Sequence, residues 1–313
     1  MTHAYLIMAF SEYDQLKMLI EMLDYPGNDI YIHIDKKSPD IDEQNLTENI
    51  LYSRVKIYKE IEIFWGHYSQ TACEVFLLEQ AVKHNYGYLH LLSGADLPIS
   101  SQGTIRQFFL ENSGKEFVRY WGDQFPPQCE AWVRYYHPLQ KYLRATRNRA
   151  VNKGFEAIEK GIEKLQSLVG IDRLKGVEFE LQKGATWFSI TGEFAKYVVQ
   201  QKPWIEKRFR NTRSSDEIFL QTILHNSEFE NKRFENTYEL DGLTGIRYID
   251  WKRGNPYIFR QTDYEELMSC GFLFARKFSI NTDRKIVEEL HDRITELNRR
   301  ELALYGGRDF SQK

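Results

Sequence analysis

Tyr88-Leu89-His90-Leu91-Leu92-Ser93-Gly94-Ala95-Asp96-Leu97-Pro98-Ile99 is a short apolar run that breaks on small residues and an acid. A run of that length between turn residues reads as a buried strand. Gly94 lets the backbone turn sharply or approach a ligand closely, and Pro98 fixes the exit. Asp96 either points into a crevice beyond the strand end or caps the N–H groups of its own loop. Working outward, the same pattern recurs upstream. Ala4 to Phe10 is another short apolar run, and Ser11 can cap the helix that follows, where Leu16, Leu19, Ile20 and Leu23 recur at helical spacing. The turn Pro26-Gly27-Asn28-Asp29 leads into Ile30-Tyr31-Ile32-His33-Ile34, which ends on Asp35. Arg54 to Tyr58 gives a third strand, and Ser69 to His84 an amphipathic helix that returns the chain to Tyr88. The order β-α-β-β-α-β with short apolar strands predicts an α/β fold, a mostly parallel central sheet flanked by helices. Ligands of such sheets bind beyond the carboxyl ends of the strands, where Asp35 and Asp96 stand.

Past the polar break at Asp123-Gln124-Phe125-Pro126-Pro127 the pattern changes. From about Ala131 to Leu168 the chain reads as charged and helical, with Ile158, Ile162 and Leu165 as an apolar stripe, an insertion or lid over the sheet edge. Strand character returns at Thr186-Trp187-Phe188-Ser189-Ile190. Helices follow near Glu193 to Gln201 and Asp216 to His225. A last strand is expected at Ile246-Arg247-Tyr248-Ile249-Asp250-Trp251, and a strong amphipathic helix from about Asp283 to Leu304. There is no internal repeat and no low-complexity tract.

Composition sets the outer limits. The 313 residues suffice for one large α/β domain or two small ones, and 42% apolar content supports a sizeable core rather than disorder. The net charge of −3 argues against a general nucleic-acid binder. A local exception is the basic stretch Lys141, Arg144, Arg147, Arg149 and Lys153. It reads as a solvated helix face, or as a surface for an anionic acceptor or anionic lipid headgroups. Aromatic content of 14% fits either core packing or flat sugar and nucleobase faces. The three cysteines, Cys73, Cys129 and Cys270, have neither metal-ligand spacing nor a disulfide framework. Residues 1–10 lack a charged n-region and run straight into a strand. The expectation is a cytoplasmic protein without signal peptide or membrane span, able to touch the inner membrane surface from inside.

Several segments can carry chemistry. Ser214-Ser215-Asp216-Glu217-Ile218-Phe219-Leu220 opens a helix with two carboxylates in its first turn, where the dipole favours negative charge. Glu217 held there could serve as a general base. The spacing Ser214-x-x-Glu217 is also a capping box, in which Glu217 only ties down its own helix start. Asp35 can accept hydrogen bonds from a ribose or base, or be a turn residue. Asp40-Ile41-Asp42 has the D-x-D form that holds a divalent metal on a sugar-nucleotide diphosphate. It follows Ser38-Pro39 in a polar loop rather than an apolar strand, and reads as a decoy. No zinc spacing, phosphate loop or dinucleotide fingerprint occurs. Arg276-Lys277 sits in the apolar frame Leu273 to Phe278, with Arg247, Lys252, Arg253 and Arg260 upstream. These cations either neutralise a diphosphate leaving group without metal or flank short surface strands.

Together these segments resemble the core-2/I-branching glycosyltransferases, which include β-1,6-N-acetylglucosaminyltransferases and peptide O-xylosyltransferases. The marks are Ile32-His33-Ile34-Asp35-Lys36-Lys37-Ser38, Trp65-Gly66, Leu92 to Ile99, Gly184-Ala185-Thr186-Trp187-Phe188, Ser215-Asp216-Glu217, Arg247 to Trp251 and Phe274 to Phe278. Each is short, and their order along nearly the whole chain makes the set specific. The resemblance implies one domain, 1–313, of GT-A type, with a nucleotide-sugar half (1–125) and an acceptor and catalytic half (126–313). It implies inverting, metal-independent transfer from a UDP-sugar, first of all UDP-N-acetylglucosamine, with no cofactor. The acceptor would be an oligosaccharide or lipid-linked glycan of a surface polysaccharide. UDP-xylose or UDP-glucuronate as donor, or a silent glycan- or nucleotide-binding module, are the alternatives. By the same resemblance Glu217 is the catalytic base. Lys277 holds the diphosphate with an arginine, Arg253 before Arg260, beside Arg276. Asp35, Trp65, Gly66 and Asp96 lie on the nucleotide side, and Arg134, Trp187 and Asp216 on the acceptor side.

Overall fold

The computed structural model describes residues 1–143, 148–234 and 246–305. The chain runs β1 (His3–Ala9), α1 (Tyr13–Leu23), β2 (Asn28–Ile34), α2 (Glu43–Thr47), β3 (Arg54–Tyr58), α3 (Ser69–Ala81), β4 (Tyr88–Ser93), β5 (Asp96–Pro98), α4 (Gln102–Glu111) and β6 (Phe117–Tyr120). It continues with α5 (Glu130–Arg134), α6 (Arg149–Leu168), β7 (Gly184–Thr191), α7 (Gly192–Gln200), α8 (Lys202–Phe209), α9 (Phe219–His225), β8 (Arg247–Ile249), α10 (Tyr264–Ser269), β9 (Phe274–Arg276) and α11 (Arg284–Tyr305). Six strands form the central sheet in the order β3-β2-β1-β4-β7-β6. The first four are mutually parallel, while β7 runs antiparallel to both β4 and β6. The α/β expectation therefore holds, with a mostly parallel sheet flanked by helices.

Side-chain alternation explains the layering. On β1, Tyr5, Ile7 and Ala9 join a core with Leu16 and Leu19 of α1, Phe109 of α4 and Leu290 of α11. Ala4 and Leu6 face the opposite core, built from Leu77 and Leu78 of α3, Phe194 of α7 and Phe219 of α9. Every residue of β2 is buried, as covering both sheet faces with helices requires. A second, three-stranded sheet, β5-β9-β8, lies beyond the turn after β4. Leu97 there opposes Ala275, so the segment holding Arg276 and Lys277 begins as a strand paired to the Asp96 loop. That placement gives its basic pair an apolar frame.

Three local expectations change. Ser11 does not cap α1; Glu12 occupies the cap in a left-handed conformation, φ 55°. Its carboxylate instead accepts from Ser279 Oγ (2.7 Å), Ile280 N–H (3.2 Å) and Asn281 Nδ2 (2.8 Å), joining the start of α1 to the lead-in of α11. The helix expected from Asp216 splits into a single 3₁₀ turn, Ser215–Glu217, and α9, because Ile218 leaves helical geometry at φ −129°. The helical stretch expected over 131–168 is broken into α5, a 3₁₀ turn at Gln140–Tyr142 and α6. Arg144 and Arg147 of its basic run lie outside the described residues. Helices α4 and α8 and strand β6 carry no periodic signal that the sequence reading used.

Candidate functional site

The turn at Ser214–Glu217 is assembled from four directions. Ser214 adopts a left-handed conformation, φ 46°, and its N–H donates to the Gly66 carbonyl at 2.9 Å. Its side chain makes no capping bond to the turn, so the Ser214–Glu217 capping box does not form. Gly66 itself has φ 68°, a conformation that suits glycine, and its N–H donates to Gln70 of α3. Thr71 of α3 and Ser215 share a 2.7 Å hydroxyl contact. Asp216 is buried and accepts from Thr186 Oγ1 of β7 at 3.0 Å. Burial first, and the neighbouring Glu217 charge second, push Asp216 up to about 7. Glu74, one turn further along α3, is wholly buried, and neither carboxylate oxygen has a hydrogen-bond partner among the described residues. Burial, and then the Asp216 charge, hold it well above the usual carboxylate range.

Glu217 leaves this turn toward the sheet. One carboxylate oxygen, Oε2, meets the ammonium of Lys183, the residue before β7, and the Glu217 side chain keeps 28% of its surface exposed. Lys183 is 1% exposed. Its ammonium stands 3.6 Å from the ring centroid of Trp121 and 5.3 Å from that of Trp132. Neither Lys183 nor the two tryptophans were singled out in the sequence. The signal available there was a lysine leading into an apolar strand, and its partner stands across 34 residues of chain.

The cationic residues meet β7 at Trp187. Trp187 carries the Arg276 guanidinium over its ring at 4.1 Å, so one of its two faces is taken by protein. Arg276 also faces Asp96 at 3.6 Å. Asp96 is buried and accepts the Ser93 N–H at 2.6 Å, which makes it the cap of its own turn. Lys277 follows, half-buried. Its backbone is bonded on both sides to the 257–259 segment, to Tyr257 O at 3.3 Å and from Phe259 N–H at 2.9 Å. That segment brings both sequence-chosen arginines near. Arg253 lies over the Tyr257 ring at 4.4 Å, but its guanidinium is engaged by Asp250, Asp263 (2.7 Å) and Glu266 (2.9 Å). Arg260, next in chain after Phe259, is exposed and has no ion pair among the described residues.

The remaining sequence-chosen residues fall in three places. Asp35 follows β2 and is engaged locally: Lys37 N–H (3.0 Å), Ile63 N–H (3.2 Å) and Lys37 Nζ (2.9 Å) all donate to it. It ties the strand end to the 61–65 loop that delivers Trp65, 55% exposed, and Gly66 to the Ser214 turn. Arg134 ends α5 and pairs with Glu130 and Asp172. The α5 carbonyl of Trp132 accepts the Arg213 N–H at 3.2 Å, which sets the helix against the same turn. Asp42 caps α2 through Asn45 N–H at 3.0 Å, and Asp40 pairs with Lys59 at the surface. Among the described residues no three His, Cys, Asp or Glu side chains group to hold a metal ion. No helix among them is long and apolar enough to cross a membrane.

The chain is 20% identical to the Xylosyltransferase oxt of Drosophila melanogaster, over 89% of this chain and 32% of that protein. It thus spans about a third of the length of the xylosyltransferases it matches. It is 22% identical to the Homo sapiens beta-1,3-galactosyl-O-glycosyl-glycoprotein beta-1,6-N-acetylglucosaminyltransferase, over 93% of this chain and 69% of that protein. Among solved structures, mouse xyloside xylosyltransferase 1 in its apo form aligns with a TM-score of 0.37 and 10% identity, covering 88% of this chain and 97% of that one. Residues 3–267 match the family described as Core-2/I-Branching enzyme, and the chain belongs to that family.

Proposed function

We propose that this protein is an inverting glycosyltransferase that moves a sugar, N-acetylglucosamine first, from a UDP-sugar to a hydroxyl of a glycan acceptor. The observation that carries the reading is Glu217: a part-exposed carboxylate on a clamped turn, tied through Lys183 to the start of β7, the strand whose Trp187 carries Arg276 next to Lys277. In the proposed step the acceptor oxygen attacks the donor C1 from the face opposite UDP. Its proton passes to Glu217, the C1–O bond to the diphosphate breaks, and that electron pair leaves with UDP. The transition state has oxocarbenium character, as in glycoside hydrolysis. Charge growing on the diphosphate is met by Lys277 with Arg260, both without ion pairs among the described residues. Asp40 and Asp42 are engaged with Lys59 and the α2 cap, which supports a metal-independent reaction. The acceptor proposed is an oligosaccharide or lipid-linked glycan of a surface polysaccharide, made on the cytoplasmic side.

A second donor, UDP-xylose, is favoured by the xylosyltransferase relatives. The test is UDP release from UDP-N-acetylglucosamine, UDP-xylose and UDP-glucuronate, with excess chelator and with added Mg²⁺ or Mn²⁺, in wild type and Glu217→Gln. The expected result is metal-indifferent turnover of one donor. Glu217→Gln should lose roughly 10²- to 10⁴-fold in kcat and still bind UDP. Turnover abolished by chelator refutes the metal-free step, and near-normal turnover by Glu217→Gln refutes the base.

A further inference from the structure

The acceptor-side base does not stand alone. Lys183 is buried as completely as a core leucine, yet it carries an ammonium, and among the described residues its ion-pair partner is Glu217. Burial of a charge is tolerated when it is paired and lies on aromatic faces, and Trp121 and Trp132 supply those faces. The lysine backbone is fixed independently of the pair. Its carbonyl accepts the Trp121 N–H at 3.0 Å and its N–H donates to Gln182 Oε1 at 2.8 Å. Directly after it, Gly184 lies so close to β6 that a Cβ would stand 1.7 Å from the Arg119 carbonyl oxygen. The glutamate is fixed from the other side, through Gly66, Thr71 and Thr186. Two separately anchored segments therefore meet in one ion pair. Lys183 occupies Oε2 of Glu217, and Oε1 makes no hydrogen bond among the described residues.

We propose that Lys183 is a positioning residue for glycosyl transfer: by holding Oε2 it leaves Oε1 as the atom that receives the acceptor proton. This rests on the reading of Glu217 as the base. The ammonium keeps its proton throughout; only the acceptor proton moves, to Oε1, as the new glycosidic bond forms and UDP departs. Trp121 is 50% exposed, so the ring that seats the ammonium also borders the open side of the site.

The experiment is a double-mutant cycle in full-length protein, with UDP release from UDP-N-acetylglucosamine and UDP-xylose as the readout. Lys183→Met should lower kcat roughly 10- to 100-fold, the scale of a misplaced catalytic group, with the dissociation constant for UDP unchanged. Lys183→Arg, which can still bond a carboxylate, should recover part of that loss. In a Glu217→Gln background the Lys183→Met change should cost nothing further, because its effect runs through the carboxylate. If Lys183→Met lowers kcat equally in both backgrounds, or leaves it unchanged, the proposal is overturned while the base reading stands. Near-normal transfer by Glu217→Gln, or no turnover of either donor by wild type, removes the base reading and this inference with it. Should Lys183→Met fail to fold, the Lys183→Arg arm decides by the same non-additivity.

Discussion

Asp216 and Glu217 are neighbours in sequence and opposites in environment. Asp216 points inward, bonded to Thr186 and close to the unsatisfied Glu74, while Glu217 points to the site rim. Burial keeps a proton on Asp216 up to about 7. Its ordinary value is 3.8, so between those limits the folded protein binds a proton that the unfolded chain has released. The sign follows from linkage: the contribution to stability is complete below the ordinary value and is lost as pH rises through the folded one. Urea midpoints of the wild type should therefore contain a component that falls from about pH 4 to pH 8. Asp216→Asn should flatten that component, and an unchanged slope would show that Asp216 is not buried as described. The sequence revealed both carboxylates but not their difference. The local S-x-x-E spacing pointed to a cap, and the tertiary contacts to Gly66 and Lys183 overrode it.

At the scale of elements, β7 is the rib that joins the two halves of the site. Lys183 before it meets Glu217, Thr186 meets Asp216, and Trp187 carries Arg276. Its start is packed against β6 with no room for a methyl group at Gly184. Gly184→Ala should part β6 from β7 and shift Lys183. We expect a loss of roughly 3 kcal/mol or more, at the upper end of overpacking effects, read as a drop in Tm together with a fall in kcat. A Tm within 1–2 °C of wild type, roughly the change from a minor surface substitution, would refute the close packing. The inner strands β1, β2 and β4 were legible because buried parallel strands are continuous apolar runs; the edge strand Arg54–Tyr58 has no fully buried residue and was still read to the residue. Strands β5, β8 and β9 have three residues each, too short for a period to show. Of these, only β8 was anticipated, inside a longer strand. The sequence named candidate residues for the site but not how they are arranged. Asp35 and Asp96 accept hydrogen bonds within their own turns, and Arg253 is held by three acids.

For the molecule as a whole, α11 is the element that closes the structure. Ile286, Val287, Leu290 and Ile294 are fully buried against α1 and the sheet. Asn298 accepts the Gln102 N–H at 2.7 Å, and Glu301 accepts that of Gly103 at 2.9 Å, completing the start of α4. Leu290→Ala should cost about 2–5 kcal/mol, the usual range for a buried leucine, measured by urea unfolding; a change below about 1 kcal/mol would mean the helix is not part of the core. Both α11 and Lys277 lie beyond the residues matched to the family, 3–267, yet one completes the fold and the other stands at the proposed diphosphate. The bond from Glu12 to Ser279, Ile280 and Asn281 gives this closure a temporal meaning. Translation delivers the chain from its amino end at about 5–20 residues per second. The first α/β unit therefore waits, part of its apolar face uncovered, until the segment that seals it has left the ribosome. A nascent chain arrested before residue 284 should thus remain a client of ribosome-associated chaperones, and its release should coincide with the emergence of α11.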